Sequence, residues 1–350
     1  MPKVTVMVPS YNHEKFVGEA IQSVLNQTYH DFEIVITDDG STDQSVSVIK
    51  SFTDPRIKLF CFEKNQGACV AGLKCRSEAK GEFIALLNSD DVFAPDKLEK
   101  QVRFLEQNPE IGAVFSYAQI IDEEGSDFNN KKHLYKHIFI QPNRTRFEWL
   151  NHFFFKGNCL CAPTCLIRKE CYDKIGSFDR RYAQLPDYDY WIRLCMKYEI
   201  HVIPENLIKF RIRNNEANAS GQRPEVKVRD QFEKTQILKN YLRSEICDDL
   251  PKIFPFKFMR NNREIEFKKE YVPFLLGMLA LAVESSPAHQ YFGLSTIHET
   301  LGDTKLAQNI RDEFSFDYKK FFELTGKIDI FKILLAEKAN HMIQQEAQVK

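Results

Sequence analysis

The chain has 350 residues, with 48 Lys+Arg against 49 Asp+Glu and a formal net charge of −1. That balance excludes a protein held to nucleic acid by bulk charge, and 43% hydrophobic with 28% charged residues excludes a disordered chain. The length suits one large domain or two of about 100–200 residues each, and no apolar run reaches the roughly 18–20 residues that cross a bilayer.

From the N-terminus, residues 4–8 form a β-branched run ended by Pro9, too short for a secretory leader. Residues 14–27 place Phe16, Val17, Ala20, Ile21, Val24 and Leu25 on one helical face. A second strand is expected at 32–37, closed by Asp38-Asp39-Gly40-Ser41-Thr42-Asp43. A helix over 46–52, a strand over 57–62 and a helix over 69–79 follow, then a strand over 83–87 ending at Asn88-Ser89-Asp90-Asp91. This alternation implies an α/β fold, a mostly parallel sheet with helices on its faces. Ligands sit beyond the carboxyl ends of such strands. Polar clusters stand at three of those ends, at 9–12, 38–43 and 88–91.

Pro95 opens a helix to residue 108, and 112–117 reads as a strand. Residues 121–146 turn polar and basic and are expected to loop over the surface. An apolar stretch at 147–155 precedes residues 165–167, a helix is expected at 190–195, and short strands at 201–203 and 208–212. Residues 214–224 lack periodicity and read as a mobile loop and boundary, dividing the chain into a domain at 1–215 and a C-terminal region at 216–350. That region is helical in pattern at 226–246, 271–283, 289–301, 305–314 and 328–344. Its Phe/Lys mixture at 254–269 and 318–322 suits a helix-packing face better than a membrane or partner contact. The nine cysteines form no CxxC repeat, and no His-bearing zinc pattern accompanies Cys159, Cys161 and Cys165. Reduced thiols in a cytoplasmic protein are therefore expected.

Each polar cluster has two readings when taken alone. Asp90 and Asp91 repel each other unless something positive binds, and magnesium or manganese takes one or two carboxylates plus phosphate oxygens. A solvated turn capping the next helix is the stronger reading of that pair by itself. In the 38–43 cluster a carboxylate could accept from a base N–H or ribose hydroxyls, or Ser41 and Asp43 could merely cap a helix. In Pro186-Asp187-Tyr188-Asp189-Tyr190-Trp191, followed by Arg193, one carboxylate could be a general base. Equally, Asp189 could pair with Arg193 one turn on.

Together, in this order and spacing, the clusters resemble glycosyltransferase family 2, nucleotide-sugar-dependent enzymes of the GT-A fold that invert the anomeric centre. Val4-Thr5-Val6-Met7-Val8-Pro9-Ser10-Tyr11-Asn12 is similar to that family's first strand and base-binding turn. Residues 20–28 are similar to its first helix, and Asn65-x-Gly67 with Ala79-Lys80-Gly81-Glu82 leads into the metal motif as in family members. Gly176-Ser177-Phe178-Asp179 resembles the segment before the family's acidic catalytic motif, and the likeness covers about residues 1–215. The resemblance implies a GT-A sheet with a C-terminal helical extension. It implies Pro9, Tyr11 and Asn12 around the base and ribose, Asp39 on the uracil, and Asn65 at the donor. Asp90 would face ribose and sugar hydroxyls, Asp91 would hold Mn2+ or Mg2+ against the diphosphate, and Arg211 would reach the diphosphate. Asp187 would be the base, and residues 214–224 would close over bound donor.

Four positions depart from the family pattern. Asn88 stands for a usual Asp, Leu73 for an Asn, and Arg211-Ile212-Arg213 for an Arg-x-His pattern. Pro186 occupies a commonly acidic position, so help in placing Asp187 must come from elsewhere. The resulting expectation is a metal-dependent transferase moving a hexosyl or N-acetylhexosaminyl group from a UDP-linked donor. The acceptor implied by the family is a growing surface glycan or its lipid-linked precursor, with no nucleic-acid partner, and the place of work is the cytoplasm, with the inner membrane face open. A peripheral membrane contact and a homo-oligomer stay open. The alternatives are a non-catalytic partner or assembly subunit and a sugar nucleotidyltransferase. The second would need a glycine-rich basic loop after the first strand, which Pro9-Ser10-Tyr11-Asn12-His13 does not offer. A Rossmann dehydrogenase is disfavoured because no GxGxxG follows that strand.

Overall fold

The computed structural model describes residues 1–255, 259–260, 263–264 and 268–332. The chain separates into two compact units, the first Met1–Lys227 and the second beginning at Val228. Both are built from short, apolar elements whose pattern follows the sequence periodicity.

The first unit holds strands β1 (Val4–Ser10), β2 (Phe32–Asp38), β3 (Ile57–Cys61), β4 (Phe83–Leu86), β5 (Val92–Phe93), β6 (Ile111–Ile121), β7 (Leu166–Arg168) and β8 (Glu199–Arg211). They form one sheet in the order β3-β2-β1-β4-β7-β6-β8-β5. β1 and β2 are buried almost throughout, as expected of central strands covered on both faces. The covering helices are α1 (Val17–Leu25), α2 (Ser45–Lys50), α3 (Ala68–Glu78), α4 (Lys97–Gln107), α5 (Tyr135–Ile138), α6 (Arg146–Lys156), α7 (Lys169–Ile175) and α8 (Pro186–Cys195).

The block β3-β2-β1-β4 is wholly parallel, and its register sets the site. Ser10 lies beside Asp38, and Met7 beside Leu86, so the chain segments after β1, β2 and β4 emerge along one edge. Beyond β4 the sheet is mixed. β7 runs antiparallel to both β4 and β6, and β5 antiparallel to β8, while β8 is parallel to β6.

Several elements differ from the sequence expectation. The strands expected at 201–203 and 208–212 are one strand, β8, whose register with β6 shifts between Ser116 and Ala118. The exposed Pro204-Glu205 sits in that irregularity, where a residue without an N–H costs no ladder bond. α8 starts four residues earlier than its apolar pattern suggests, because Pro186 occupies the first helical turn. Residues 121–146 contain the end of β6 and the short α5 rather than an unbroken loop.

In the second unit the helix expected at 226–246 ends at Leu238 (α9, Pro224–Leu238), and 3₁₀ turns follow on either side of an extended Arg243. α10 (Leu250–Ile253), α11 (Val272–Leu281), α12 (Pro287–Leu301), α13 (Thr304–Phe314) and α14 (Tyr318–Lys327) complete it, with a two-stranded pairing of Met259–Arg260 and Arg263–Glu264. α14 was not expected from the pattern; Asp317 caps it by accepting from the Lys320 N–H, and Phe321 is its buried contact. Of the helix expected at 328–344, residues 328–332 are not helical and the rest lies outside the described residues. Phe254 is fully buried, and half of the 254–269 patch is outside the described residues too.

A buried polar network fixes the start of the parallel block. Glu33 accepts from the Thr5 hydroxyl at 2.7 Å and from the Lys80 N–H at 2.7 Å, while the Gly81 N–H donates to Thr5 Oγ1 at 2.8 Å. Gly81 is required by space, since a Cβ there would lie 2.4 Å from Thr5 N and 2.7 Å from the Val4 carbonyl carbon. Gly81→Ala must push β1 backbone aside. It is expected to cost about 1–3 kcal/mol of stability, read as a lower denaturant midpoint.

Candidate active site

A cavity of about 410 Å³ opens at the carboxyl edge of the parallel strands, and Pro9, Tyr11, Asp39, Asp90, Asp187 and Arg213 all line it. Four chain segments and the end of β8 bring these side chains together.

The first segment follows β1. Tyr11 is 41% exposed, and Asn12 adopts a left-handed φ of 50°, which Asn tolerates better than most residues. Asn12 does not line the cavity. It staples two loops instead: its N–H donates to Ser41 Oγ at 2.9 Å, and its Oδ1 accepts from the Thr42 N–H at 2.8 Å.

The second segment follows β2. Asp38 is buried and accepts from both the N–H and the hydroxyl of Ser41. Asp39 faces the cavity and accepts from the N–H groups of Gln66 at 2.7 Å and Gly67 at 2.8 Å. Gly40, between this carboxylate and Ser41, has φ 72° and approaches the Lys64–Asn65 backbone so closely that a Cβ would lie 2.7 Å from it. Asn65 itself is exposed and does not line the cavity.

The third segment follows β4. Asp90 lines the cavity, with Oδ2 3.9 Å from His13 Nε2. Asp91 lies behind it, 1% exposed, accepting from the Arg211 N–H at 2.9 Å and from the Asn88 amide at 2.9 Å. Asn88 thus donates to the pair where an Asp would add a charge. Burial, reinforced by the neighbouring Asp90 charge, still pushes the Asp91 carboxyl well above the usual carboxylate range. Among the described residues no group of three or more His, Cys, Asp or Glu is arranged to hold a metal ion.

β8 supplies two arginines with different fates. The Arg211 guanidinium is 1% exposed and donates to the carbonyls of Asp90, Asp122 and Glu123 and to Glu19 at 2.6 Å. It does not line the cavity; Arg213 does. Arg213 donates to His13 Nε2 at 2.7 Å, so the neutral ring carries its proton on Nδ1, 2.7 Å from Ser89 Oγ. Burial holds the His13 imidazole below its usual pKa, with Asp90 opposing and Arg213 reinforcing.

The fourth segment is the start of α8. Asp187 Oδ1 accepts from the Tyr188 N–H at 2.8 Å, and Oδ2 accepts from Asn158 Nδ2 at 2.9 Å. Asp189 is buried and pairs with Arg193, whose other donors reach the carbonyls of Ile175 and Ser177. Residues 217–220 form part of the cavity wall. Asn218 holds this wall by accepting from the Arg213 N–H and donating to the Arg211 carbonyl, each at 2.8 Å. Further bonds run from Tyr135 to the Ser220 carbonyl and from Gln184 to the Ala219 carbonyl.

The family profile described as Glycosyl transferase family 2 matches residues 5–176. An uncharacterized glycosyltransferase of Methanocaldococcus jannaschii is 32% identical over 220 residues, covering 61% of this chain and 72% of the relative. The chain belongs to glycosyltransferase family 2. A second relative, an uncharacterized glycosyltransferase of Haemophilus influenzae, is 31% identical over 224 residues, covering 62% of this chain and 68% of its own.

Among solved structures, S. aureus TarS 1–349 in complex with UDP superposes with a TM-score of 0.56 at 19% identity, over 85% of this chain and 88% of that one. In the longer TarS chain the match covers 54%. At that identity the likeness establishes the GT-A fold and nothing finer. Within the family 2 profile lie the clusters after β1, β2 and β4, whereas Asp187 and Arg211–Arg213 fall beyond residue 176.

The family 2 pattern led to Asp39, Asp90 and Asp187, which the fold brings to one cavity. Arg213, His13, Asn158 and Asn218 were not singled out. Arg213 had a signal in its spacing from Arg211, whereas Asn158 follows the α6 C-cap Gly157 in no recognisable motif.

The two α8 carboxylates separate by stability. Asp189→Ala leaves Arg193 buried without its counterion and is expected to cost about 3–5 kcal/mol. Asp187→Asn, at the helix start, is expected to cost no more than about 1 kcal/mol, both read by chemical denaturation.

Proposed function

We propose that the protein transfers a sugar from a UDP-linked donor to an acceptor hydroxyl with inversion, using Asp187 as the base. The observation that carries this reading is a single cavity lined by Asp39, Asp90 and Asp187, which opens at the carboxyl ends of the parallel strands. UDP as the nucleotide is supported by the TarS structures of the same fold, which are complexes with UDP and with UDP-GlcNAc.

The Asp39 carboxylate has lone pairs beyond the two it uses on Gln66 and Gly67, so it can also accept from an imide N–H of uracil. Pro9 and the half-exposed Tyr11 ring would flank the base and Asp90 the ribose and sugar hydroxyls. Asn12 would act on the donor through the loops it staples and Arg211 through the Asp90–Asp91 turn, whereas Asn65 brings its backbone close to Gly40 beside Asp39. Arg213 then takes the role of the cation beside the diphosphate.

Three cavity carboxylates and a diphosphate exceed the charge of one guanidinium, so a divalent cation suits this site. The fit rests on Asp90 and Asp91, adjacent carboxylates after β4, the second of which is pushed up by burial first and by the Asp90 charge second. Mn2+ or Mg2+ takes one or two carboxylates and completes its shell with phosphate oxygens and water. When bound, the ion would neutralise charge on the departing diphosphate.

In the transfer, Asp187 takes the proton of the acceptor hydroxyl as that oxygen bonds to the anomeric carbon. The anomeric C–O bond to the diphosphate breaks on the opposite face, and its electron pair leaves with UDP. One base completes such a single displacement, and Asp189, turned into its Arg193 pair, adds no second carboxylate. The acceptor we propose is a growing surface glycan or its lipid-linked precursor, on the family resemblance alone. No helix among the described residues is long and apolar enough to cross a membrane.

Transfer measured with UDP-sugars and manganese tests this reading. Asp187→Asn is expected to lower kcat about 10²–10⁴-fold with donor Kd unchanged by calorimetry, and turnover within tenfold of wild type would remove Asp187 from the role. Arg213→Ala is expected to weaken UDP binding by about tenfold or more, with Arg213→Lys in between.

A further inference from the structure

We propose that Asn158 is the positioning residue of the base, doing in this chain what an acidic neighbour cannot do at Pro186; this rests on the reading of Asp187 as base. Asn158 is partly buried and follows Gly157, which caps α6 with a φ of 85°. α6 is registered against α8 by the Tyr188 hydroxyl, which donates to the Phe153 carbonyl, and by the edge-to-face Phe153–Tyr188 rings. The chain leaving α6 is thereby brought to the first turn of α8.

The direction of the Asn158 amide is fixed by chemistry. Its Oδ1 accepts from the Leu160 N–H at 3.1 Å, which leaves Nδ2 to donate to Asp187 Oδ2 at 2.9 Å. A donor on one oxygen and the Tyr188 N–H on the other hold the carboxylate plane and favour its ionised form.

Other groups stand around Asp187 as well. Cys161 and Cys165, which feel its charge, are neutral thiols, Cys165 being pushed up to about 12 by burial. Asp90, His13 and Arg213 line the same cavity from the ends of β4, β1 and β8, and Arg213 is engaged with His13. On α8 itself Asp189 is committed to Arg193.

Replacing Asn158 separates its two bonds. Asn158→Asp keeps the acceptor for Leu160 and the side-chain shape, but removes the donor and sets a second carboxylate against Asp187. Asn158→Ala removes both bonds. The expected results are a tenfold or greater loss of kcat in each, with donor Kd and thermal midpoint near wild type for Asn158→Asp. The acid limb of the kcat/KM profile should move up by about one pH unit in Asn158→Ala and further in Asn158→Asp.

A purely structural role predicts a different outcome, with Asn158→Asp close to wild type in rate and profile. That result, with Asp187→Asn inactive, would overturn the proposal while leaving the base in place. Turnover retained by Asp187→Asn would overturn the base and this role with it.

Discussion

The Arg211 guanidinium is the point at which the site is fixed to the fold. It is buried at the end of β8 and gathers the Asp90, Asp122 and Glu123 carbonyls and the Glu19 carboxylate, while its own N–H binds Asp91. A buried cation needs such a full set of partners, because losing one leaves charge stranded in a medium of low dielectric. The consequence is that the turn after β4 is held from behind, and Asp90 is presented to the cavity on a rigid support.

The same division recurs at each functional cluster. Asp38 secures its own turn while Asp39, equally buried, lines the cavity; Asp91 stays off the cavity while Asp90 lines it; Asp189 is paired with Arg193 while Asp187 lines it; Arg211 is held inside while Arg213 lines it. Geometry enforces this for α8, where residues two apart are turned by about 200° and cannot share a face. After β2 the alternation of neighbouring residues has the same effect. Doubled charges in such clusters are therefore one part scaffold and one part cavity lining.

That division explains what could be read from the sequence. Apolar runs with period 2 or 3.6 mark β1 to β4 and the helices between them, because each of these elements is decided by local burial. Parallel pairing of those strands then places 9–12, 38–43 and 88–91 along one edge without further information. Tertiary choice decides the rest. Whether Arg211 or Arg213 meets the cavity depends on where β8 ends, and the meeting of Asn158 with Asp187 depends on the packing of α6 against α8. The strand break expected near Pro204 failed for a similar reason, since a shift of register with β6 absorbs the proline that a lone strand could not.

At the start of α8 the surroundings of Asp187 show what kind of base the proposed reaction would have. The helix N-terminus, the Tyr188 N–H and the Asn158 amide all favour the ionised carboxylate. A carboxylate is an intrinsically weak base, so little driving force would come from the proton transfer itself. The acceptor oxygen must then be made acidic by bond formation at the anomeric carbon, late in the displacement. For that to be fast, charge on the leaving diphosphate must be stabilised, and the opposing cavity wall, with Arg213 near the Asp90–Asp91 turn, is where this chain concentrates its means of doing so.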